Sequence, residues 1–175
     1  MKLFLVMRPW QLFALTWGLP ILTTPSSFEE RTTLLFIIMM VLFAFSTLGW
    51  LYALGTEIPK KLPEELRTSS ASFNTHLKFI AFTFFLVVPV ALYWEQLNDS
   101  QPLRVIVLVP FLYFFVAAHQ VFKFVSRSLA SLELNRLATA KEYAGYMLLF
   151  WFYPMGVWTI QPRVNRIFAE QKIET

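Results

Sequence analysis

An all-α bundle of membrane-crossing helices, a polytopic membrane fold, is the class that this sequence predicts. Hydrophobic side chains make up 57% of the 175 residues and charged ones only 15%, whereas a soluble domain carries about a quarter charged residues. The chain also holds 19 Phe and six Trp, which would need a far larger core in water but need no burial in lipid. We expect one membrane domain over residues 1–175.

Five apolar blocks carry this prediction. They cover residues 9–23, 33–54, 78–94, 103–122 and 143–161. A hydrocarbon core of about 30 Å needs about 20 helical residues. The second and fourth blocks meet that length, and the third is slightly short. We expect Gly55 to end the second span.

The start of the chain has some features of a signal peptide. Lys2 precedes the apolar run of residues 3–7, but the run is short and Arg8-Pro9 interrupts it. A signal peptide has a longer apolar region and a small-residue cleavage site. We therefore expect an uncleaved first span, in which Arg8 extends to the lipid headgroups.

The polar connections between blocks predict helix boundaries. Ser26 with Glu29, and Ser27 with Glu30, have the spacing of a capping box at the start of the second helix. Residues 98–102 predict a short turn that ends in proline, which suits the first helical position. The third and fourth spans should therefore form a tight antiparallel hairpin.

Basic residues orient the predicted helices. With a cytoplasmic N-terminus and four crossings, the outer side holds only Arg31 and Arg104. The inner side holds Lys2, Arg8, Lys60, Lys61, Arg67, Lys78, Lys123, Arg127, Arg136 and Lys141. Because Lys and Arg are enriched in cytoplasmic loops, this distribution favours a multi-pass protein with its N-terminus in the cytoplasm.

The fifth block leaves two paths open. Residues 143–161 contain no charged side chain, but Pro154 and Gly156 interrupt their middle. An apolar stretch of this length without charged residues usually crosses a bilayer. A crossing would, however, place the basic residues of the tail outside, against the positive-inside rule. The block therefore either spans or forms a re-entrant or surface segment bent at residues 154–156.

Residues 123–142 predict a cytoplasmic helix that continues the fourth span. They contain neither Gly nor Pro. Phe122, Val125, Leu129 and Leu132 repeat at spacings of three and four, which places them on one helical face. The helix either lies in the headgroup layer with this face toward lipid, or protrudes and pairs with a partner or a second copy.

Few side chains in the blocks could carry chemistry. Ionisable groups inside spans usually mark transport or proton transfer. Glu95 lies at the outer end of the third span, and His119 and Gln120 lie near the inner end of the fourth. These three residues are candidate pore-lining or interhelix polar groups.

Several prolines are candidate hinges, because each removes a backbone hydrogen bond from its helix. Pro20, Pro89 and Pro110 fall in the outer halves of their spans, and Pro154 with Gly156 falls in the last block. They are either static kinks that shape the bundle or flexing points of an outer vestibule.

Composition argues against enzyme chemistry. The chain has no Cys, two His and one Asp, so clustered metal ligands are not expected. Its five glycines form no phosphate-binding loop. We therefore predict no catalytic residue, no cofactor, no metal and no nucleic-acid partner.

Two short patches carry a resemblance. Residues 8–13 read RPWQLF and residues 153–165 read YPMGVWTIQPRVN. Together they resemble small uncharacterised multi-span membrane proteins of the Bacteroidota. The resemblance implies a bacterial inner-membrane setting and no particular activity.

The sequence supports one leading function hypothesis and one alternative. The first is a non-enzymatic component of the lipid bilayer that acts through helix–helix contacts, as a homo-oligomer or as an accessory subunit of a larger membrane assembly. The alternative is an oligomeric channel or membrane-perturbing effector gated from the cytoplasmic helix. An enzyme of lipid metabolism is the least favoured reading.

Overall fold

The architecture is helical throughout the residues that the computed structural model describes, which are 3–18, 31–92 and 101–169. The helices are α1 Leu3–Val6, α2 Pro9–Phe13, α3 Arg31–Lys61, α4 Ala71–Leu92, α5 Gln101–Leu134, α6 Ala140–Trp151 and α7 Tyr153–Ala169. A π-helical turn, Ala14–Gly18, continues α2, and a 3-10 turn, Glu64–Leu66, precedes α4. The all-α prediction is therefore confirmed for these residues.

The long helices α3, α4 and α5 form an antiparallel core, and α4 packs extensively on α5 as the predicted hairpin requires. Two helical stretches in the described part of the chain, Ile37–Lys61 and Ile106–Leu134, are long and apolar enough to cross a membrane. The helix α5 begins at Gln101, so Pro102 occupies its first turn, where a missing N–H costs no hydrogen bond.

Gly55 does not end the second helix, contrary to the sequence prediction. The helix α3 continues through Pro59 to Lys61. Gly55 instead admits the ring of Phe73, whose Cζ would lie 2.1 Å from a Cβ at this position. Phe73 stacks in turn on Phe124 with ring centroids 4.9 Å apart. The glycine therefore permits a close contact of α3 with α4.

The helix α5 ends at Leu134, so the prediction of one continuous rod to Glu142 was wrong. Asn135 has a φ of 51°, a left-handed conformation that Asn tolerates better than most residues. The backbone N–H of Ala138 then donates to Ser131 Oγ at 2.9 Å. These contacts turn the chain before α6 begins.

The predicted apolar face of α5 is real but faces the protein interior. Val125 and Leu129 are fully buried, and Phe122 and Leu132 pack against the same core. The neighbouring elements α3, α4 and α6 cover this face. It is therefore not available to lipid headgroups or to a partner, as both sequence interpretations had assumed.

The last apolar block forms a helical hairpin. The α6 helix ends at Trp151, and the backbone departs from helical geometry at Phe152, with φ −92° and ψ 62°. Arg163 of α7 returns to Tyr146 of α6, with Nη1 2.6 Å from the phenol oxygen. The bend therefore lies just before Pro154, which falls in the first turn of α7.

One end of the bundle collects the basic residues, and we call it the basic end. It is where α3 and α5 finish, α4 and α6 begin, and α7 finishes. It contains Lys60, Lys61, Arg67, Lys123, Arg127, Arg136, Lys141, Arg163 and Arg166. Arg31 and Arg104 lie at the first turns of α3 and α5, at the opposite end.

Candidate functional site

The most connected buried polar group in the described residues is the side chain of Gln161. It is fully buried. Its Oε1 accepts a hydrogen bond of 2.8 Å from Trp50 Nε1. Its Nε2 lies 2.8 Å from Phe4 O and 3.0 Å from Met7 O, to which it donates. One amide thus joins α7 to α3 and to the first segment of the chain.

The two carbonyls need this donor because α1 stops after Val6. A continuing helix would bond Phe4 O to the N–H of Arg8. That N–H instead donates to Gln11 Oε1 at 2.8 Å. Asn165, one turn after Gln161, donates from Nδ2 to Met7 O at 3.1 Å. The α7 side chains therefore replace the hydrogen bonds that the break in the first segment removes.

This junction brings together the two patches that carried the resemblance. The break that precedes Pro9 lies against Gln161 and Asn165. Further along, Phe13 contacts Trp158 with ring centroids 6.1 Å apart. The first segment and α7, about 150 residues apart in sequence, thus form one interface. We call the group of Trp50, Gln161 and Asn165 the amide junction.

Aromatic rings pack around the junction on the α3 side. The ring of Trp50 lies 5.6 Å from that of Phe150 and 5.4 Å from that of Tyr153, between ring centroids. Phe122 of α5 stacks on Phe150 at 5.6 Å. The bent hairpin is thereby anchored to both long helices, and water is excluded from the junction.

A second polar cluster joins three helices at the basic end. Arg163 Nη1 donates to the Tyr146 hydroxyl at 2.6 Å, and that hydroxyl donates to the Glu133 carboxylate. The Arg163 guanidinium also lies over the Tyr146 ring, 5.3 Å from its centroid. The charged side chains are partly exposed, so their ion pair contributes little by itself.

The start of α6 is held by Glu142. Its carboxylate accepts a bond of 2.7 Å from the Thr139 backbone N–H and pairs with the Arg136 guanidinium through two N–H groups. The hydrogen bonds from Arg136, and then those from Thr139, lower the pKa of Glu142 to about 2. The same pairing raises the pKa of Arg136. This capping box fixes the direction in which α6 leaves the loop.

The end of α7 is fastened to the end of α3. Lys61 Nζ donates to the Ile167 carbonyl at 2.7 Å and lies 4.1 Å from the centroid of the Phe168 ring. A cation at this position interacts favourably with the carbonyl end of a helix. The end of α7 therefore lies at the basic end.

A third group of buried polar atoms comprises Trp17 Nε1, Thr47 Oγ1 and the Tyr153 hydroxyl, none of which makes a hydrogen bond of good geometry in the described structure. The hydroxyls of Thr47 and Thr16 lie close enough to interact with the Tyr153 hydroxyl, and the Thr16 hydroxyl donates to Leu12 O at 2.9 Å. Buried polar groups with imperfect hydrogen bonds are uncommon and cost free energy. They lie between the first segment, α3 and the bend of the hairpin.

The sequence-predicted site residues do not converge in the described structure. His119 and Gln120 are half-buried on α5, and neither makes a hydrogen bond within the described residues. Pro89 and Pro110 lie inside α4 and α5. Glu95 and Pro20 lie outside the described residues, as do the predicted capping boxes of residues 26–30. The prediction of a polar site around His119 therefore gains no geometric support.

Gly156 proves to be the tightest point of the hairpin. A Cβ on this residue would lie 2.1 Å from the backbone oxygen of Leu149. The backbone cannot retreat as a flexible side chain could, so only glycine fits. The candidate hinge thus acts as a close-approach position in the bend, with Pro154 beginning the returning helix.

The groups of the amide junction are suited to a structural role. Its members are neutral hydrogen-bonding groups without a nucleophile or an acid–base pair. In the described part of the chain no three His, Asp or Glu side chains are grouped as metal ligands. The arrangement can hold helices in register but offers no reacting atom.

Comparison with known proteins adds no family. No protein-family model matches the chain, and no curated protein or solved structure is significantly similar to it.

Sequence reasoning missed the amide junction, although one signal was present. Gln161 is a polar residue at the end of a block without charges. A polar amide next to an apolar span often bonds across helices. Its partners are a tryptophan in α3 and two carbonyls near the N-terminus, which no local pattern identifies.

Proposed function

We propose that the chain is an integral membrane protein whose long helices cross the bilayer and whose last apolar block enters and returns on one side. The two apolar helices of sufficient length support the membrane setting. The basic end collects nine of the 13 described Lys and Arg residues, which favours the cytoplasmic side for this end. The resemblance of the two patches supports a bacterial inner membrane as the location of the protein.

The length of the hairpin supports a re-entrant path. At about 1.5 Å per residue, the 12 residues of α6 are about 18 Å long, too short for a core of about 30 Å. Its bend lies beside the middle of α3, since Tyr153 contacts Phe43 and Trp50. Arg163 and Arg166 then remain with the other basic residues, as the positive-inside rule favours.

Within the membrane, we assign the protein a non-enzymatic role through helix contacts, as a self-associating protein or as an accessory subunit. The observation that carries this is the outer face of α5. It exposes a continuous group of large apolar side chains, Ile106, Leu108, Val109, Phe111, Leu112, Tyr113, Phe115 and Val116, each at least 42% exposed. The half-depth hairpin leaves this face uncovered, so a helix of another chain can pack there.

Cysteine cross-linking in native membranes tests this role, because the chain has no cysteine of its own. We expect Phe111→Cys and Phe115→Cys to form cross-linked dimers or adducts with one defined partner. Met155→Cys, also exposed but on the hairpin, is the matched control and should stay monomeric. A protein that remains monomeric at every position would contradict the proposal.

Conduction is the second candidate, and the buried hydroxyls of Thr47 and Tyr153, which lack a hydrogen bond of good geometry, favour it. Such groups can line a polar path when copies assemble. Ion flux into liposomes that contain the full-length protein is the test. If Tyr153→Phe abolishes the flux, the result would support a path here. If there is no flux, or if only His119→Ala abolishes it, this path would be excluded.

A further inference from the structure

A groove between α3 and α4 has the dimensions and the chemistry of a lipid site. Its volume is about 380 Å³. Small residues, Ala44, Gly49 and Ala81, line it together with the large side chains of Met40, Phe45 and Phe85. Phe45 and Phe85 are 64% and 75% exposed. The groove is thus an open apolar channel along two antiparallel helices.

The polar groups of the groove share one end. Tyr52, Asn74 and Lys78 belong to its lining. Because Phe73 packs on Gly55 in antiparallel helices, Asn74 and Lys78 lie beside the α3 residues near Tyr52. This is the end of the groove closest to the basic end. Within the described residues the ammonium group of Lys78 has no carboxylate partner, and its groove neighbours are neutral.

The groove is long enough to hold an acyl chain. Its α3 lining runs from Met40 to Tyr52, which is about 18 Å at about 1.5 Å per residue. This is more than half of a hydrocarbon core of about 30 Å. An acyl chain that starts near Lys78 can therefore lie in the groove over the depth of one leaflet.

We infer that this groove binds one acyl chain of an anionic glycerophospholipid, with the lipid phosphate against Lys78 and Asn74. The inference rests on the membrane setting proposed above. The apolar lining accepts the chain, the ammonium group supplies the opposite charge, and the amide of Asn74 can donate to a phosphate oxygen. A basic side chain near the membrane surface favours an anionic headgroup.

Photolabelling of the full-length protein in nanodiscs tests the site. The probe is phosphatidylglycerol with a diazirine midway along one acyl chain, and phosphatidylcholine with the same chain is the comparison. We expect phosphatidylglycerol adducts to concentrate at groove residues such as Met40 and Phe85. Lys78→Gln should reduce these adducts about fivefold, toward the phosphatidylcholine level.

A second variant separates the chain from the headgroup. Ala44→Phe should fill the groove and remove adducts of both lipids, whereas Leu148→Phe, at an exposed apolar position on α6, should leave them unchanged. Equal labelling by both lipids around the whole protein, or a second protein copy cross-linked into the groove, would overturn the inference. If the α5 cysteines form no cross-links but the groove is still labelled, the result would contradict the proposed function and leave the lipid site standing.

Discussion

Trp50 and Gln161, 111 residues apart, share a hydrogen bond of 2.8 Å in a fully buried position. The bond connects the middle of a long helix to the returning arm of the hairpin. The same amide supplies donors to Phe4 O and Met7 O. A single side chain therefore determines how the first segment, α3 and α7 are arranged.

Replacing that amide should destabilise the whole bundle. In Gln161→Leu, the N–H of Trp50 and the Phe4 carbonyl become buried and unpaired, which should cost about 2–4 kcal/mol. Denaturant unfolding in detergent micelles measures the change. Gln120→Leu, at a half-buried residue without a hydrogen bond in the described structure, should cost far less.

A double-mutant cycle with Trp50→Phe isolates the bond itself. We expect a coupling energy of about 1 kcal/mol between the two positions. Additive effects of the two substitutions would show that the bond contributes nothing beyond packing.

The bend of the hairpin leads to a second prediction. Alanine substitutions at two glycines of the last block should change the stability in opposite directions. Gly156→Ala would bring a Cβ to 2.1 Å from Leu149 O, so we expect a loss of about 2 kcal/mol or more from the backbone shift. Gly145→Ala meets nothing within 4 Å and should stabilise α6 by up to about 1 kcal/mol. Thermal unfolding of both variants measures the contrast, and equal effects would contradict the close contact.

The helices were predictable from local patterns, but their connections were not. The apolar blocks of residues 33–54 and 103–122 marked α3 and α5 because a helix that is apolar over its length leaves a continuous signal. The extension of α3 beyond Gly55 was missed because the role of this glycine depends on Phe73, in the next helix. Local sequence cannot distinguish a glycine that ends a helix from one that admits a ring.

The hairpin was predictable only in part from the sequence. Pro154 and Gly156 showed that the last block was interrupted, and the tail charges favoured a return. What decided its path was tertiary contact, from Tyr146 to Arg163 and from Lys61 to Ile167. Such contacts have no sequence period, and the Gln161 contacts escaped prediction for the same reason.

Gly55 makes a third prediction. Phe73 is 1% exposed and stacked on Phe124, so its ring cannot move away from a new methyl group. We expect Gly55→Ala to cost about 1–3 kcal/mol through overpacking. The double variant Gly55→Ala with Phe73→Leu should recover part of this loss, because the smaller side chain leaves room. If Gly55→Ala unfolds at the same denaturant concentration as the wild-type protein, and as cooperatively, the close contact with Phe73 would be contradicted.

Glu142 makes the stability of the loop before α6 depend on pH. Its pKa is lowered from 4.5 to about 2 in the folded protein, so the folded state favours the charged form. The stabilisation is complete above pH 4.5 and is lost as the pH falls toward 2. The protection factors of the amides in the first turn of α6, which are corrected for the intrinsic pH dependence of exchange, should therefore fall across this range. Glu142→Gln should show low protection factors already at neutral pH and no such fall, whereas wild-type protection factors that stay constant across this range would exclude the role of the carboxylate.

The path of the last block makes the final prediction, which concerns the sides of the membrane. Single cysteines at Glu65 and Ala169 lie at the same end of the bundle, because Lys61 holds the end of α7 beside the end of α3. A membrane-impermeant maleimide should therefore label both from the same side in sealed vesicles. Phe152→Cys, at the bend, should be labelled from neither side, since the proposed re-entrant path places it in hydrocarbon. Labelling of Ala169→Cys and Glu65→Cys from opposite sides would mean that the block crosses, and would remove the re-entrant hairpin from the proposal.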